Sequence, residues 1–138
     1  MTTMILQVGV KVFLKNKEGK YLLIRRSPVK YPDVKDAWDI VGGRIDPGSP
    51  LLENLRREVR EETKLEITSE PRLIAAQDII PNAEKHVVRL SYVAETVGEP
   101  ELDRSENIEY RWFTVEEMKK QEGLDTYVRE ILDKKLLQ

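Results

Sequence analysis

One stretch, residues 38–65, constrains the fold of this chain more than any other part of the sequence. It reads WDIVGGRIDPGSPLLENLRREVREETKL: a short apolar segment, a glycine pair and a run rich in leucine and charge. The apolar segment predicts a strand that ends at Gly42-Gly43. The later run predicts a helix, because apolar residues recur in it at the spacing of one helix face. These residues are Leu51, Leu52, Leu55 and Val59.

The predicted helix has a marked start. Ser49 is a favoured N-cap residue. Pro50 is favoured at the first helical position, because an N–H there would have no intrahelical partner. The sequence therefore predicts that the helix begins at Pro50, directly after Ser49.

Three carboxylates lie on one side of this helix and border its apolar stripe: Glu58, Glu61 and Glu62. Like charges three or four residues apart destabilise a helix by roughly 0.2–0.5 kcal/mol per pair. One interpretation is a solvated face, with neighbouring arginines balancing the charge. The other is a site for a hard cation such as Mg²⁺, which prefers oxygen ligands and is often shared between carboxylates and substrate phosphates.

The residues before the helix favour the cation site. Gly42-Gly43 lets the backbone approach a ligand closely and leaves a carbonyl oxygen free as a further ligand. Taken together, the stretch resembles the signature of the Nudix (MutT-like) hydrolases. Gly43 matches the first glycine of that signature, the sequence REVREET from Arg57 to Thr63 follows at the required spacing, and Leu65 matches its last position. A match over so many positions is specific.

Two positions depart from the signature. Ser49 occupies the place of its first glutamate, which supports the metal site indirectly, so the departure predicts weaker metal binding or catalysis. Asp46 lies three residues earlier, and whether it substitutes for that glutamate stays open at this point. Lys64 occupies the place of a glycine in the left-handed conformation, at a cost of about 1 kcal/mol.

The resemblance implies an α/β fold: an α/β/α sandwich with a mixed β-sheet, in one domain over residues 1–138. It also implies Mg²⁺ as cofactor, with Mn²⁺ as an alternative. The implied metal ligands are the carbonyl of Gly42 and the carboxylates of Glu58, Glu61 and Glu62. The implied catalytic residues are Glu58 and Glu61, with Arg57 orienting a carboxylate and Glu106 entering from a later loop. Glu109 is the weaker alternative to Glu106.

Three further residues are predicted to contact the substrate. Arg26 ends a predicted strand and Arg44 follows the glycine pair, so both are placed to meet phosphate oxygens. Trp38 is placed to line the pocket or to stack on a base. The alternative for the arginines is an ordinary surface position, and the alternative for Trp38 is the core.

Length and composition exclude several classes of protein. With 138 residues, the chain is long enough for one domain with a core and short for two. Its net charge of −2 argues against a bulk nucleic-acid or anionic-membrane binder. Because it has no cysteine, disulfides, thiol catalysis and cysteine-ligated zinc are excluded. Neither a signal peptide nor a membrane span is expected, and nothing demands export, so a cytoplasmic location is expected.

The rest of the chain predicts strands before and after the helix, followed by two more helices. Strands are expected over residues 8–14, 21–26, 67–80, 86–96 and 108–113, with a turn at Pro81-Asn82. Thr114 and Glu117 form a capping box that predicts a short helix. The apolar stripe of the last helix fits either core packing or a homodimer face.

The resemblance implies hydrolysis of a pyrophosphate bond in a nucleoside diphosphate derivative. A nucleoside triphosphate, an ADP-ribose-like compound and a nucleotide sugar all remain open as substrates. The alternative is a catalytically weakened Nudix-fold module that binds a nucleotide or a partner, and Ser49 is the feature that motivates it. A third interpretation is a small α/β domain whose acidic helix is merely solvated.

Overall fold

A seven-stranded mixed sheet organises the computed structural model, which describes residues 3–137. In chain order the elements are β1 Ile5–Lys15, β2 Tyr21–Arg26, β3 Trp38–Asp39, β4 Val41–Arg44, α1 Leu51–Thr63, β5 Arg72–Asn82, β6 Lys85–Glu95, β7 Asn107–Phe113, α2 Val115–Lys120 and α3 Thr126–Asp133. The main path of the sheet is β3-β2-β1-β6-β5, with β4 paired to β1 and β7 paired to β2. β1 pairs in parallel with β6, and the other strand pairs are antiparallel.

Helices cover both faces of the sheet, which confirms the predicted mixed-sheet α/β/α sandwich. Alternate residues of β1 point to opposite faces, so Val12 packs with Leu55 and Val59 of α1. Phe13 packs in a second cluster with Met118 of α2 and residues of α3. The stripe of α3 belongs to this cluster through Val128, Ile131 and Leu132, so the core interpretation of that stripe is confirmed.

The start of α1 differs from the prediction by one residue. Pro50 is the N-cap, with an extended ψ of 150°, and the helix begins at Leu51. The proline side chain carries no hydrogen-bonding group, so another residue supports this turn. Asn54 Nδ2 donates to the carbonyl oxygens of Ser49 at 3.1 Å and of Pro50 at 2.7 Å.

The end of α1 agrees with the signature. Lys64 adopts a left-handed conformation with a φ of 61°, and its N–H donates to the Arg60 carbonyl at 3.0 Å. The capping box at the start of α2 is also confirmed: Thr114 and Glu117 bond reciprocally through side chain and backbone.

The turn predicted at Pro81-Asn82 is wrong. β5 continues through Asn82, and the turn lies at residues 83–84. β5 is at the edge of the sheet, where a residue without an N–H is tolerated. The pairing of β5 with β6 shifts register between Ile79 and Asn82, as expected where a proline interrupts a ladder. Among residues 3–137, no helix combines the length and the apolar character that crossing a bilayer would require.

Candidate active site

A cavity of about 410 Å³ lies where α1 meets the glycine pair. One side is formed by the carboxylates of Glu58, Glu61 and Glu62. Three cationic side chains also line it, and Tyr31, Asp103 and Glu106 reach it from loops. The cations are Lys11, Arg26 and Arg44. The structure thus brings together most of the residues predicted from the sequence: Gly42, Glu58, Glu61, Glu62, Arg26, Arg44 and Glu106.

Gly42 is sterically required, and Gly43 leaves room for the carboxylate of Glu58. A Cβ added at Gly42 would lie 2.0 Å from the carbonyl oxygen of Val10, a backbone atom that cannot move aside alone. A Cβ added at Gly43 would lie 2.6 Å from Oε2 of Glu58. The lack of side chains is therefore what allows α1 to bring Glu58 against the strand.

Glu62 is held by hydrogen bonds from two directions. Its Oε1 accepts from the backbone N–H of Gly42 at 3.1 Å, and its Oε2 accepts from Asn107 Nδ2 at 3.3 Å. Burial nevertheless raises the pKa of Glu62 to about 7, against the opposing effect of the nearby Lys11 charge. The charged form of this carboxylate is therefore incompletely compensated by its surroundings.

Arg57 contacts the carboxylates of α1 rather than the cavity. Its guanidinium donates to Glu58 Oε1 at 2.9 Å and lies 3.3 Å from Glu61 Oε2. The same guanidinium lies 3.6 Å from Asp46 Oδ2. These contacts support the expectation that Arg57 orients carboxylates, and they place Asp46 against Arg57, close to where the signature has its first glutamate.

Asn54 is a supporting residue that the sequence analysis missed. It is fully buried, and its Oδ1 accepts from the Asp46 N–H at 3.0 Å and from Arg57 at 3.1 Å. It therefore ties the loop before α1 to the arginine that orients Glu58. The available signal was a polar residue next to Leu55, on the face of α1 that had to be buried.

Glu106 lines the cavity but is already bound on the loop side. It accepts hydrogen bonds from the Lys30 ammonium and from the Tyr31 hydroxyl. These bonds, that of Lys30 first, lower the pKa of Glu106 below its usual value. Glu109, the alternative, instead accepts from Arg25 Nε at 2.9 Å in an exposed ion pair.

A buried carboxylate anchors the cationic wall of the cavity. Asp39, on β3, contacts Lys11 Nζ at 3.0 Å, Arg26 NH2 at 3.3 Å and Arg89 NH2 at 3.0 Å. Burial alone would raise the pKa of Asp39, but the charges of Arg89, Lys11 and Arg26 outweigh it and hold the pKa well below its usual range. We call these four residues the Asp39 cluster.

The structure corrects the sequence prediction for Trp38. It is 7% exposed and packs in the core that faces α2 and α3, edge-on to Phe113 with ring centroids 5.6 Å apart. The predicted substrate contact of Trp38 is therefore replaced by its alternative, a core position. An apolar side chain this large stabilises the fold most when it is buried, and the adjacent Phe113 gives it a partner there.

The ligand atoms that the cavity offers are of the chemical type that a hard cation binds. Its carboxylates and peptide carbonyl are the oxygen ligands that Mg²⁺ prefers. Burial raises the pKa of both Glu58 and Glu62, which marks a deficit of positive charge next to them. In this structure, the Arg57 guanidinium donates to Glu58 and Glu61. Within residues 3–137, no three His, Asp or Glu side chains lie close enough together to bind one metal ion.

Comparison with known proteins agrees with this geometry. A family model described as NUDIX domain matches residues 5–134. A Nudix hydrolase of Deinococcus radiodurans is 42% identical over 60 residues, which are 42% of this chain and 34% of that protein. A putative 8-oxo-dGTP diphosphatase of Bacillus subtilis is 38% identical over 55 residues, 40% of this chain and 33% of that protein. The aligned segment is thus about a third of each relative.

Solved structures extend the similarity to nearly the whole chain. A MutT protein from Methanosarcina mazei superposes with a TM-score of 0.81 at 28% identity, covering 97% of this chain and 95% of that one. A MutT NUDIX hydrolase from Burkholderia pseudomallei superposes with a TM-score of 0.75 at 25% identity, covering 94% and 97%. The predicted architecture is therefore the architecture of these proteins.

Proposed function

This chain belongs to the NUDIX domain family, and on that basis we propose that it hydrolyses a pyrophosphate bond in a nucleoside diphosphate derivative with Mg²⁺ as cofactor. One observation carries the proposal: a single cavity has the carboxylates of α1 on one side and Lys11, Arg26 and Arg44 in the same lining. A diphosphate needs cations around its oxygens, and a cation that bridges phosphate to protein needs carboxylates.

The two sets of charges suit two tasks. Glu58, Glu61, Glu62 and the Gly42 carbonyl would hold the metal ion. When bound, Mg²⁺ would neutralise phosphate charge and lower the pKa of a coordinated water. Arg26 and Arg44 would orient the diphosphate, and the ion pair with the buried Asp39 limits the conformations open to Arg26.

Glu58 is the residue we propose as proton acceptor. Its carboxylate lines the cavity and is half-buried there, which raises its pKa above the usual value for glutamate. Glu106 has a lowered pKa because Lys30 and Tyr31 already donate to it. We therefore propose that Glu106 fixes the loop beside the cavity and that Glu58, with Glu61 as the alternative, accepts the proton of the attacking water.

The substrate is proposed only as a class. A nucleoside triphosphate, an ADP-ribose-like compound and a nucleotide sugar all contain the required diphosphate. The printed name of the Bacillus subtilis relative, a putative 8-oxo-dGTP diphosphatase, supports the first of these. A cytoplasmic location stays a prediction, as does formation of a homodimer.

Hydrolysis of a mixed substrate panel tests the proposal. The panel holds nucleoside triphosphates, oxidised dGTP, ADP-ribose, nucleotide sugars and dinucleoside polyphosphates, each with Mg²⁺ and then with Mn²⁺. We expect turnover of at least one compound, and loss of that turnover in the double variant Glu58→Gln/Glu62→Gln. Turnover that persists in the double variant would contradict the assigned site. Metal-dependent binding without turnover would favour the alternative, a nucleotide-binding module.

Ser49 provides a separate prediction. If the missing glutamate weakens support for the metal site, Ser49→Glu should tighten Mg²⁺ binding or raise kcat/KM by about tenfold, the usual scale for residues that support metal ligands. Metal titration monitored by calorimetry, together with kinetics, measures both quantities, and Ser49→Gln is the control of equal size without charge. Unchanged affinity and rate would show that Asp46 and Arg57 already provide the support.

A further inference from the structure

Lys11 is a buried cation beside the proposed metal site, and the sequence analysis assigned it no role. It is 7% exposed, and it lines the same cavity as the carboxylates of α1. The pairing of β1 with β4 places it directly opposite Gly42. A Cβ added at Gly42 would lie 2.9 Å from Lys11 Cδ. The stem of the lysine therefore runs along the glycine whose carbonyl is a proposed metal ligand.

The ammonium group of Lys11 is fixed in place. Its Nζ lies 3.0 Å from Asp39 Oδ2 and donates to the carbonyl oxygen of Ile40 at 3.2 Å. Both acceptors belong to the buried segment that directly precedes the glycine pair. A lysine at the surface can swing its charge away on a flexible stem, but this one cannot. Its charge therefore stays beside the cavity when a ligand enters.

Neutralising Asp39 does not require Lys11. Arg26 NH2 lies 3.3 Å and Arg89 NH2 3.0 Å from the same carboxylate, and a guanidinium is always charged. Even when Asp125 is counted, which contacts Arg89 at 3.1 Å, three cations face two carboxylates. Burial also lowers the pKa of Lys11, and the charge of Asp39 opposes this effect only in part. A buried charge that its partner does not need costs stability, which indicates a role in function.

The charge of Lys11 acts on the carboxylates of α1. Burial raises the pKa of Glu62 and of Glu58, and Lys11 is among the charges that oppose the rise. A metal ion at these carboxylates would compensate the same negative charge. Two cations repel each other, and most strongly where water is excluded. Lys11 would therefore weaken the binding of a metal ion by the free protein and strengthen the binding of an anion.

We propose that Lys11 is a fixed countercharge that keeps the affinity of the free protein for Mg²⁺ low and its affinity for a diphosphate high, so that the metal ion enters together with the diphosphate. A bound diphosphate would add negative charge that outweighs the charge of Lys11 and so restores the affinity for the metal ion. The inference rests on the proposed function, because it takes the carboxylates of α1 as metal ligands. It adds an order of binding to that function.

Removal of the charge at constant side-chain length tests the proposal, and Lys11→Met is the variant. Calorimetry measures the Kd of Mg²⁺ without phosphate. NMR titration in EDTA measures the Kd of methylenediphosphonate, a diphosphate analogue that cannot be hydrolysed. We expect the Kd of Mg²⁺ to fall about tenfold and that of methylenediphosphonate to rise about tenfold. Opposite changes identify an electrostatic role, because a merely structural loss would weaken both.

Lys15→Met is the matched control, since it makes the same substitution on the same strand, roughly 13 Å further along. That distance exceeds the screening length at physiological salt, so both Kd values should stay within about twofold of the wild type.

Three results would overturn the proposal: Mg²⁺ binding by Lys11→Met that is unchanged or weaker, methylenediphosphonate binding that is unchanged or tighter, and no measurable Mg²⁺ binding by either protein. If Lys11→Met fails to fold, Lys11→Gln decides, because its amide can still donate to Asp39 without a charge. These titrations involve no turnover. Absence of hydrolysis on the substrate panel would therefore reject the proposed function and leave this test intact.

Discussion

Glu62→Gln is expected to abolish hydrolysis and, at the same time, to make the folded protein more stable at neutral pH. The variant removes a proposed metal ligand, and loss of comparable electrostatic groups lowers kcat by about 10²–10³-fold. It also removes a charge that burial disfavours, while the amide oxygen can still accept from the Gly42 N–H. Loss of activity and gain of stability from one substitution would identify a carboxylate retained for function.

The size and sign of the stability change follow from the pKa. Raising the pKa of Glu62 from 4.5 to about 7 means that the folded state resists ionisation. The stability that this group contributes is thus complete below about pH 4.5 and is lost as the pH rises through about 7. One pKa unit corresponds to about 1.4 kcal/mol. Because Glu62 is only partly buried and Asn107 loses an acceptor, we expect a gain of about 1–2 kcal/mol above pH 7.

Thermal unfolding of both proteins from pH 4 to pH 8 measures this effect. The difference in Tm should be small at pH 4, grow towards pH 7 and reach roughly 3–8 °C. Millimolar Mg²⁺ should raise the Tm of the wild type and not that of the variant, because a ligand of the native state stabilises it. For the pH effect, measured without Mg²⁺, Glu61→Gln is the matched control, since its side chain is 58% exposed. A fall in the Tm of Glu62→Gln at pH 8 would contradict the argument.

Asp39→Asn is expected to destabilise the protein by about 3–5 kcal/mol, the usual cost of breaking a buried ion pair from one side. Asp39 is 3% exposed and is in contact with Lys11, Arg26 and Arg89. Without the charge of Asp39, three cations would lie close together without this carboxylate. Two of them, Lys11 and Arg89, are themselves buried. The lowered pKa gives the pH dependence: this stabilisation is present above about pH 4 and is lost as the pH falls below it.

Urea unfolding at pH 7 measures this loss. Glu109→Gln is the control, because it breaks the exposed pair with Arg25, which should contribute less than about 1 kcal/mol. Adding Lys11→Met to Asp39→Asn should recover part of the stability, since it removes one uncompensated charge. Equal losses in Asp39→Asn and Glu109→Gln would show that the Asp39 cluster does not support the fold.

Local features of the fold could be predicted because local rules govern them. The capping box at Thr114 and the left-handed Lys64 each depend on residues within one turn of the chain. The start of α1 was misplaced by one residue because the φ of −61° at Pro50 fits the N-cap as well as the first helical position. The support from Asn54 was missed, since a polar helix residue is usually exposed, although its place next to Leu55 on the buried face was a signal.

The carboxylate side of the candidate site was predicted from α1 alone. The helical repeat places Glu58, Glu61 and Glu62 on one side of α1, whatever surrounds the helix. They therefore line one cavity once that side of α1 faces the glycine pair. The position of Trp38 could not be predicted in this way. Its side chain belongs to the core because Phe113, which is distant in sequence, lies next to it.

The sequence by itself determined the helix, its carboxylate face and the glycine pair, because each is specified within a few residues. Only the tertiary structure decided which groups surround them. Lys11, Arg26 and Arg89 reach Asp39 from three different strands, and Gly9 lies beside Arg89 through the parallel pairing of β1 with β6. Such contacts depend on strand order and register, which long-range packing sets, and a shift of one residue would turn these side chains to the other face.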